Sequence, residues 1–278
     1  MIDMNLKGRA ALVTGGRRGI GGAIAQRLAA AGASVVITAE TMKDEGLAEM
    51  LAMLRGRGAK AEAIAFNLAD PEARQGAIAK AEAFFGPIDI LINNAATNNY
   101  KPPSAMDLAF RTLIFEVNVH GPMDLIQQCL PKMKERRYGR ILGISSATVR
   151  QAPVPYPGPA QYVHGVALYG ASKAAMDRFT IGLAAELHGT GITVNAIMPT
   201  SVCVTGANSP AALDALRRHP EWGEGVEMMA EAGMLLIGSP LTGRIMPSRD
   251  VLQMMQAPLH ALDGATVIGD ANTIPNLG

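Results

Sequence analysis

Short apolar runs alternate along this chain with longer segments whose apolar residues recur at helical spacing. A parallel sheet with helices on both faces produces this alternation, because each buried strand is followed by an amphipathic helix. The pattern therefore predicts an α/β fold, a doubly wound parallel sheet of about seven strands. The predicted strands are Arg9–Thr14, Ser34–Thr38, Glu62–Phe66, Ile88–Ile92, Arg140–Ser145, Ile192–Met198 and Ala265–Ile274.

The segments between these strands predict helices, and no linker or internal repeat interrupts the series. Residues 1–278 are therefore predicted to form a single domain. One segment, residues 200–247, departs from the alternation: it is rich in Met, Ala and Leu and predicts two additional helices. The other predicted helices are Ile20–Gly32, Met42–Arg57, a segment starting near Pro71, Met106–Lys134 with a pause near His120-Gly121-Pro122, and Tyr169–Leu187.

Composition narrows the possible partners and the compartment. The formal net charge is +1 with no long run of either sign, which argues against nucleic acid or an anionic membrane as a partner. The two cysteines, Cys129 and Cys203, form neither a disulfide framework nor a metal-binding cluster. No apolar run is long enough to span a bilayer or to act as a signal peptide, so we expect a soluble, cytoplasmic protein with no metal site.

A glycine-rich turn follows the first predicted strand and reads Gly15-Gly16-Arg17-Arg18-Gly19-Ile20-Gly21. A strand, a glycine loop and a helix in this order present backbone N–H groups and a helix N-terminus to a pyrophosphate. The alternative is a tight strand-to-helix turn whose glycines serve packing alone.

A tyrosine and a lysine, Tyr169 and Lys173, stand four residues apart where a long helix begins. Positions i and i+4 share a helix face, so the ammonium lies near the phenol and favours its ionised form. Such a tyrosine is a usable general acid and base. Tyr156 and Tyr162 lack a lysine at the same spacing. The alternative is an ordinary pair on a solvated helix face.

Four stretches follow one another in a fixed order: Thr14-Gly-x-x-x-Gly19-Ile-Gly21, Asn93-Asn-Ala-Ala96, a serine after the fifth strand, and Tyr169-x-x-x-Lys173. Together with Asn118 and the runs Val194–Pro199 and Gly243–Val251, they resemble the short-chain dehydrogenase/reductase family. The resemblance covers the chain except for residues 147–168. It implies a Rossmann-like form of the predicted fold, with residues 200–247 as a small helical substrate lid. It also implies an enzyme that interconverts an alcohol and a ketone with a nicotinamide cofactor.

The resemblance implies a catalytic group of Asn118, Ser146, Tyr169 and Lys173. Tyr169 would exchange a proton with the substrate oxygen, and Ser146 would hydrogen-bond that oxygen. Lys173 would lower the pKa of Tyr169 and hold the nicotinamide ribose. Asn118 would bend its helix and hold a water that links Lys173 to solvent. Ser146 fits the family position better than Ser145, which is the alternative.

The resemblance also implies a set of cofactor contacts and a cofactor preference. Ala39 stands where an acidic residue would bind the ribose of NAD, and Arg17 and Arg18 suit a 2′-phosphate. NADP is therefore favoured over NAD, although Glu40 would oppose a phosphate. Thr205 is the expected carboxamide contact, with Thr200 as the alternative. The predicted contacts are Gly15, Arg17, Arg18, Gly19, Ile20, Gly21, Ala39, Glu40, Asn67, Leu68, Asn94, Ala95, Ala96, Tyr169, Lys173, Pro199, Thr200, Val202 and Thr205.

Two segments carry the predictions about specificity. Residues 147–168 form a proline-rich insertion, which either borders the site entrance, builds a subunit contact or is a tolerated surface loop. The apolar residues of the lid suggest a mainly apolar small molecule as substrate, unless they only pack their helices on the sheet. These lid residues are Met228, Met229, Met234, Leu235, Leu236 and Met246.

Two further expectations concern assembly and the alternative function. The resemblance implies a homo-oligomer, either a tetramer or a dimer, formed through the helices that contain Asn118 and Tyr169. The alternative to an active oxidoreductase is a catalytically silent regulator or scaffold that binds the cofactor in the same fold.

Overall fold

The structure is a computed structural model that describes residues 4–98, 100–150, 154–155, 160–200, 202–206, 208 and 210–275. Seven strands form one parallel sheet, which confirms the predicted doubly wound α/β class. They are β1 (Ala10–Val13), β2 (Ser34–Ala39), β3 (Ala61–Ala65), β4 (Ile90–Asn93), β5 (Gly139–Ile144), β6 (Ile192–Met198) and β9 (Ile245–Pro247).

The order across the sheet is β3-β2-β1-β4-β5-β6-β9, so the chain starts near the middle and winds outward in both directions. The winding direction reverses between β1 and β4. In a sheet of this kind the loops that leave the carboxyl ends of these two strands diverge and open a crevice, where ligands bind. The strand order alone therefore predicts a ligand-binding site at the carboxyl ends of β1 and β4.

Helices cover both faces of the sheet because the side chains of each strand alternate between the two faces. In β1, Ala11 and Val13 pack into the apolar core on one face, and Ala10 and Leu12 pack into the core on the other. The helices are α1 (Gly19–Ala30), α2 (Glu45–Gly56), α3 (Pro71–Arg74), α4 (Ala77–Phe85), α5 (Leu108–Phe115), α6 (Gly121–Arg136), α7 (Gln161–His164), α8 (Ala167–Glu186), α9 (Pro210–Arg218), α10 (Val226–Ile237) and α11 (Ser248–Met255).

The helix predicted over Met106–Lys134 is divided in the structure. Helix α5 is followed by a π-helical turn, Glu116–His120, before α6 begins. The predicted pause near His120-Gly121-Pro122 thus lies at the end of this turn and the start of α6.

The last predicted strand, Ala265–Ile274, is wrong as a strand of the main sheet. The seventh strand is β9, and Val267–Gly269 (β11) instead pairs antiparallel with Leu259–His260 (β10) in a small hairpin. Strand β9 has only three residues, two of them half-buried, so its apolar pattern is too short to stand out in the sequence.

The segment 200–247 differs from the predicted lid. Helix α10 is a core helix that packs against α1, and its Met228, Met229 and Met234 are fully buried. The alternative that these residues pack the helix on the sheet is therefore confirmed, and the prediction that they form an adaptable apolar lid surface is wrong. A two-stranded sheet of Val202–Cys203 (β7) and Gly223–Glu224 (β8), together with α9, makes up the rest of this segment.

The insertion before Tyr169 is described in part. Residues Ala147–Val149 form a 3₁₀ turn and α7 follows later, whereas residues 151–153 and 156–159 lie outside the described part of the chain. The predictions for Pro153, Pro157 and Pro159 concern residues in that undescribed part.

Candidate active site

The glycine loop after β1 has the backbone that only glycine adopts easily. Gly15 and Gly19 have φ angles of 62° and 57°, in the left-handed region. A Cβ added to Gly21 would collide with Nδ2 of Asn94 and would lie 2.7 Å from the carbonyl oxygen of Gly15. The loop therefore brings the start of α1 into direct contact with the residue that follows β4.

Asn94 and Thr14 hold the glycine loop against β4. Nδ2 of Asn94 donates to the carbonyl oxygens of Thr14 at 2.8 Å and Gly15 at 3.2 Å. Oγ1 of Thr14 accepts from the backbone N–H groups of Asn94 and Ala95, each at 3.0 Å. The side chain of Asn94 thus fixes the loop, a role that spacing alone did not reveal.

The N-terminus of α1 fits an anionic ligand. Its N-cap residue Arg18 makes no side-chain capping hydrogen bond, and the first turn contains no acidic residue. The first backbone N–H groups of such a helix carry a partial positive charge and need acceptors. This arrangement and the close approach at Gly21 match the pyrophosphate of a dinucleotide cofactor.

The predicted contacts at the adenosine end are spread over three loops. Ala39 is buried at the end of β2, whereas Glu40 is exposed. Arg17 pairs with Asp44, the N-cap residue of α2, at 3.0 Å. Asn67 is exposed, and its Oδ1 accepts from the backbone N–H of Ala69 at 2.9 Å.

Leu68 and Ala96 complete the predicted contacts on this side of the sheet. The carbonyl oxygen of Leu68 accepts from Arg74, and its side chain packs so closely on Gly121 that a Cβ there would lie 2.7 Å away. Ala96 is exposed directly after Asn94 and Ala95. Ile20 packs against the core at the start of α1.

The loop after β6 approaches the glycine loop from the other side. Cγ2 of Thr205 would lie 3.6 Å from a Cβ added to Gly19. The backbone N–H of Thr200 donates to the buried carboxyl of Glu224 at 3.1 Å, which fixes the loop behind Pro199. Val202 lies in β7. Thr205 is therefore the candidate threonine that the structure places beside the glycine loop.

Asn118 occupies the π-helical turn between α5 and α6 and is buried. Its Nδ2 donates to the carbonyl oxygen of Thr97 and to Oγ of Ser172, both at 3.0 Å, and its Oδ1 accepts from the N–H of Thr97 at 2.8 Å. Because a π turn interrupts the regular helical hydrogen bonds, it directs the Asn118 side chain toward α8. The structure thus joins Asn118 to the helix that carries Tyr169 and Lys173.

Ser146, Tyr169 and Lys173 meet at the carboxyl end of β5. Ser146 lies close enough to the phenol of Tyr169 to act on its pKa, and Nζ of Lys173 lies 5.6 Å from the centre of the Tyr169 ring. Oγ of Ser146 accepts from the backbone N–H and the hydroxyl of Thr148, at 3.3 Å and 2.9 Å. Helix α8 approaches the turn after Ser146 closely because Gly170 has no side chain: a Cβ there would lie 2.6 Å from the carbonyl oxygen of Thr148.

Burial perturbs both ionisable groups of the pair. Burial raises the pKa of Tyr169 to about 12, and the hydrogen bond from Ser146 opposes that rise. Burial lowers the pKa of Lys173 to about 8, and the charge of Asp177 opposes that fall. Removal from water therefore dominates the pKa of Tyr169 in this structure. The lowering of that pKa by Lys173 stays a prediction.

Asp177 is a buried acidic residue of the site that the sequence motifs did not single out. Oγ of Ser145 donates to Oδ2 of Asp177 at 2.8 Å, so Ser145, the alternative to Ser146, is committed to a second buried group while Ser146 lies beside Tyr169. A signal was present in the sequence: Asp177 follows Lys173 by four residues and Tyr169 by eight, which places all three on one face of α8.

Known protein families offer a comparison for the chain that carries these residues. The family model for short chain dehydrogenases matches residues 9–214. The chain belongs to the short-chain dehydrogenase family. Within the described residues of this family member, no helix combines the length and apolarity that a membrane-spanning segment requires.

Two curated relatives are similar to this short-chain dehydrogenase over most of its length. A short chain dehydrogenase of Pseudocercospora fijiensis is 34% identical over 219 residues, which cover 77% of this chain and 66% of the relative. The 3-oxoacyl-[acyl-carrier-protein] reductase of Aquifex aeolicus is 35% identical over 199 residues, which cover 71% of this chain and 75% of the relative. The chain thus spans slightly less than two thirds of the first relative.

A solved structure extends the likeness to three dimensions. A short chain dehydrogenase from Burkholderia cenocepacia, crystallised in complex with NADP, superposes with a TM-score of 0.74 at 33% identity. The match covers 87% of this chain and 97% of the other. At this level of identity the fold and the family are shared.

Proposed function

We propose that this chain is an NADP-dependent oxidoreductase that interconverts a secondary alcohol and a ketone, with Tyr169 as general acid and base. The observation that carries the proposal is the meeting of Ser146, the half-buried Tyr169 and, one helical turn further along α8, the buried Lys173 at the carboxyl end of β5. The bound nicotinamide would supply or accept the hydride. The protein would supply orientation and proton transfer.

The roles of the residues follow from their positions. The side chain of Ser146 lies near the phenol of Tyr169, so a substrate oxygen placed near both would accept two hydrogen bonds. In ketone reduction Tyr169 gives its proton to that oxygen, and the ammonium of Lys173 stabilises the phenolate that remains. Burial raises the pKa of Tyr169 to about 12, so at neutral pH the phenol holds the proton that reduction requires.

The cofactor would be held by the glycine loop and the loops that face it. Gly15, Gly19 and the N-terminus of α1 suit the pyrophosphate, and the loop from Pro199 to Thr205 borders the nicotinamide end of the crevice. The preference for NADP is supported by Ala39, which offers no acid to a ribose hydroxyl, and by the positions of Arg17 and Arg18. The relative crystallised with NADP supports the same assignment.

The substrate proposal is a mainly apolar ketone or secondary alcohol. Its support is the similarity to a 3-oxoacyl reductase, since α10 buries its methionines and contributes no substrate surface. A panel of simple ketones, 3-oxoacyl thioesters and polar sugar acids, followed by NADPH absorbance, tests this part. Turnover of the sugar acids alone would contradict it.

We also propose a homo-oligomer, either a dimer or a tetramer. Helix α5 exposes Leu108 and Leu113, and α8, which carries Tyr169, exposes Ile181, so apolar side chains are available on both helices for a subunit contact. Light scattering coupled to gel filtration measures the molar mass directly. A monomeric mass would contradict this proposal.

Tyr169→Phe tests the central assignment. We expect kcat to fall by about 10²–10⁴-fold, because the phenol is the proton donor, while NADPH binding measured by fluorescence persists. Tyr138→Phe is the matched control, since the Tyr138 ring stacks with Arg9 and Arg140 away from the site.

Two results would overturn the proposal. One is turnover by Tyr169→Phe at the wild-type rate. The other is wild-type protein that binds NADPH and turns over nothing in the panel, which would favour a silent regulator of the same fold.

A further inference from the structure

Behind Lys173 lies a small polar cavity, lined in part by Asn118, where the family resemblance implies a water that links Lys173 to solvent. Its volume is about 20 Å³, enough for one water molecule. Polar side chains of Asn93, Asn118, Ser145, Lys173 and Asp177 line it, together with Thr180. A cavity lined by polar side chains is uncommon in a protein core, where buried polar groups normally have hydrogen-bond partners.

Asp177 is the acidic residue of this cavity, and it is held in a fixed orientation. Its residue is 9% exposed, and Oγ of Ser145 donates to its Oδ2 at 2.8 Å. Among the described residues, Oδ1 of Asp177 and Oδ1 of Asn93 have no hydrogen-bond partner. Two acceptors that border one cavity match the two protons of a single water molecule.

Lys173 faces this carboxylate from the same helix, one turn earlier. Its Nζ donates to the carbonyl oxygen of Ile144 at 2.7 Å, and the residue is buried. Isolated ammonium groups are strongly disfavoured in such surroundings and tend to lose their proton. The charge of Asp177 acts against that loss.

We propose that Asp177 is a positioning residue for Lys173: its carboxylate, oriented by Ser145, keeps the buried lysine ammonium protonated so that it can support Tyr169. The expected effect of Asp177 on catalysis rests on the proposed function. Its effect on the protonation of Lys173 does not. The other ionisable groups near the pair are Tyr169 itself and Tyr100, whose proximity raises the pKa of Tyr169.

The direct test is an NMR titration of Lys173 in protein labelled at the lysine side chains, with the signal assigned by its loss in Lys173→Met. In wild-type protein we expect the titration near pH 8. In Asp177→Asn, which keeps the shape and an acceptor for Ser145, we expect the midpoint to fall by about one pH unit or more. An unchanged midpoint overturns the inference, whether or not the protein turns over a substrate.

The catalytic test is the pH profile of ketone reduction. Reduction needs the charged lysine, so the alkaline limb of kcat/KM should move to lower pH in Asp177→Asn by about the same amount as the NMR midpoint. Asp177→Glu should restore much of the wild-type profile. If Asp177→Asn loses activity equally at every pH and the alkaline limb of kcat/KM does not move, Asp177 has only a structural role.

Two variants keep the test decisive. Thr180→Val changes the same cavity without a charge, so we expect the Lys173 midpoint to stay at its wild-type position. If Asp177→Asn does not fold, Ser145→Ala replaces it: loss of that hydrogen bond makes the carboxylate harder to ionise, and the midpoint should fall by a smaller amount. A shifted NMR midpoint without any turnover would contradict the proposed function and leave this inference standing.

Discussion

Two buried ionic clusters in this protein are built in opposite ways. The arginine cluster consists of Arg27, Glu231 and His260, and it joins α1, α10 and the C-terminal hairpin. Nη1 of Arg27 and Oε2 of Glu231 lie 2.5 Å apart, and the same oxygen meets Nδ1 of His260 at 3.0 Å. Both members of the ion pair are almost fully buried.

The lysine cluster consists of Ser145, Lys173 and Asp177, beside the candidate active site. Within the described residues, Lys173 and Asp177 form no ion pair at 4.0 Å or less. Both side chains line the same cavity of about 20 Å³. One oxygen of Asp177 has no partner among those residues. The lysine is bonded to a backbone carbonyl instead.

The difference shows how burial can serve either stability or chemistry. A charge pair in direct contact, with its remaining acceptors satisfied, is fixed, and breaking it is strongly destabilising. A charge held at a distance from its counter-ion keeps a perturbed pKa, which is what proton transfer requires. The first cluster therefore belongs to the architecture and the second to the site.

Lys173→Met should give the largest effect and would separate the two clusters most clearly. We expect kcat to fall by about 10²–10⁴-fold, because the ammonium that stabilises the phenolate is lost. The thermal midpoint should change little, since a buried charge is replaced by an apolar side chain of similar length. Steady-state kinetics and calorimetry measure the two quantities.

Lys132→Met is the matched control for that experiment. Lys132 is half-exposed and pairs with Glu82 on the surface, so kcat should stay at its wild-type value. If the kcat of Lys173→Met stays within tenfold of the wild-type value, the lysine cluster takes no part in the reaction.

Glu231→Gln should have the reverse profile. We expect the free energy of unfolding in urea to fall by about 3–5 kcal/mol, because Arg27 is left buried without a counter-charge. The kcat of the folded protein should remain unchanged, since the arginine cluster lies away from Tyr169. Glu227→Gln, one turn earlier on α10 and only half-buried, is the control. A loss of kcat without loss of stability would contradict the structural role.

The pH dependence of stability gives the smallest of these effects and sharpens the comparison. The pKa of Lys173 is about 8 in the folded protein and ordinarily 10.5. Between these values the unfolded chain binds more protons than the folded chain, so wild-type stability rises with pH relative to Lys173→Met. The relative gain should be of the order of 3 kcal/mol across this window, measured by urea unfolding at several pH values. Parallel curves for the two proteins would show that Lys173 is not strongly perturbed.

Much of the fold could be predicted from the sequence because the information is local. Six of the seven strands of the main sheet coincide with predicted apolar runs. Strand β9 escaped because its three residues, two of them half-buried, carry almost no pattern. The methionines of α10 were ambiguous because a run of apolar residues does not say whether it faces a ligand or the core.

The sequence by itself determined the order of the glycine loop, Ser146, Tyr169 and Lys173, and the helix face that the last two share. Only the tertiary structure decided that Ser146 lies beside Tyr169 while Ser145 bonds Asp177, because adjacent residues after a strand diverge into different surroundings. It also decided that Tyr169 and Lys173 have perturbed pKa values. Burial is set by how the whole chain packs around a residue, and no spacing within one helix contains it.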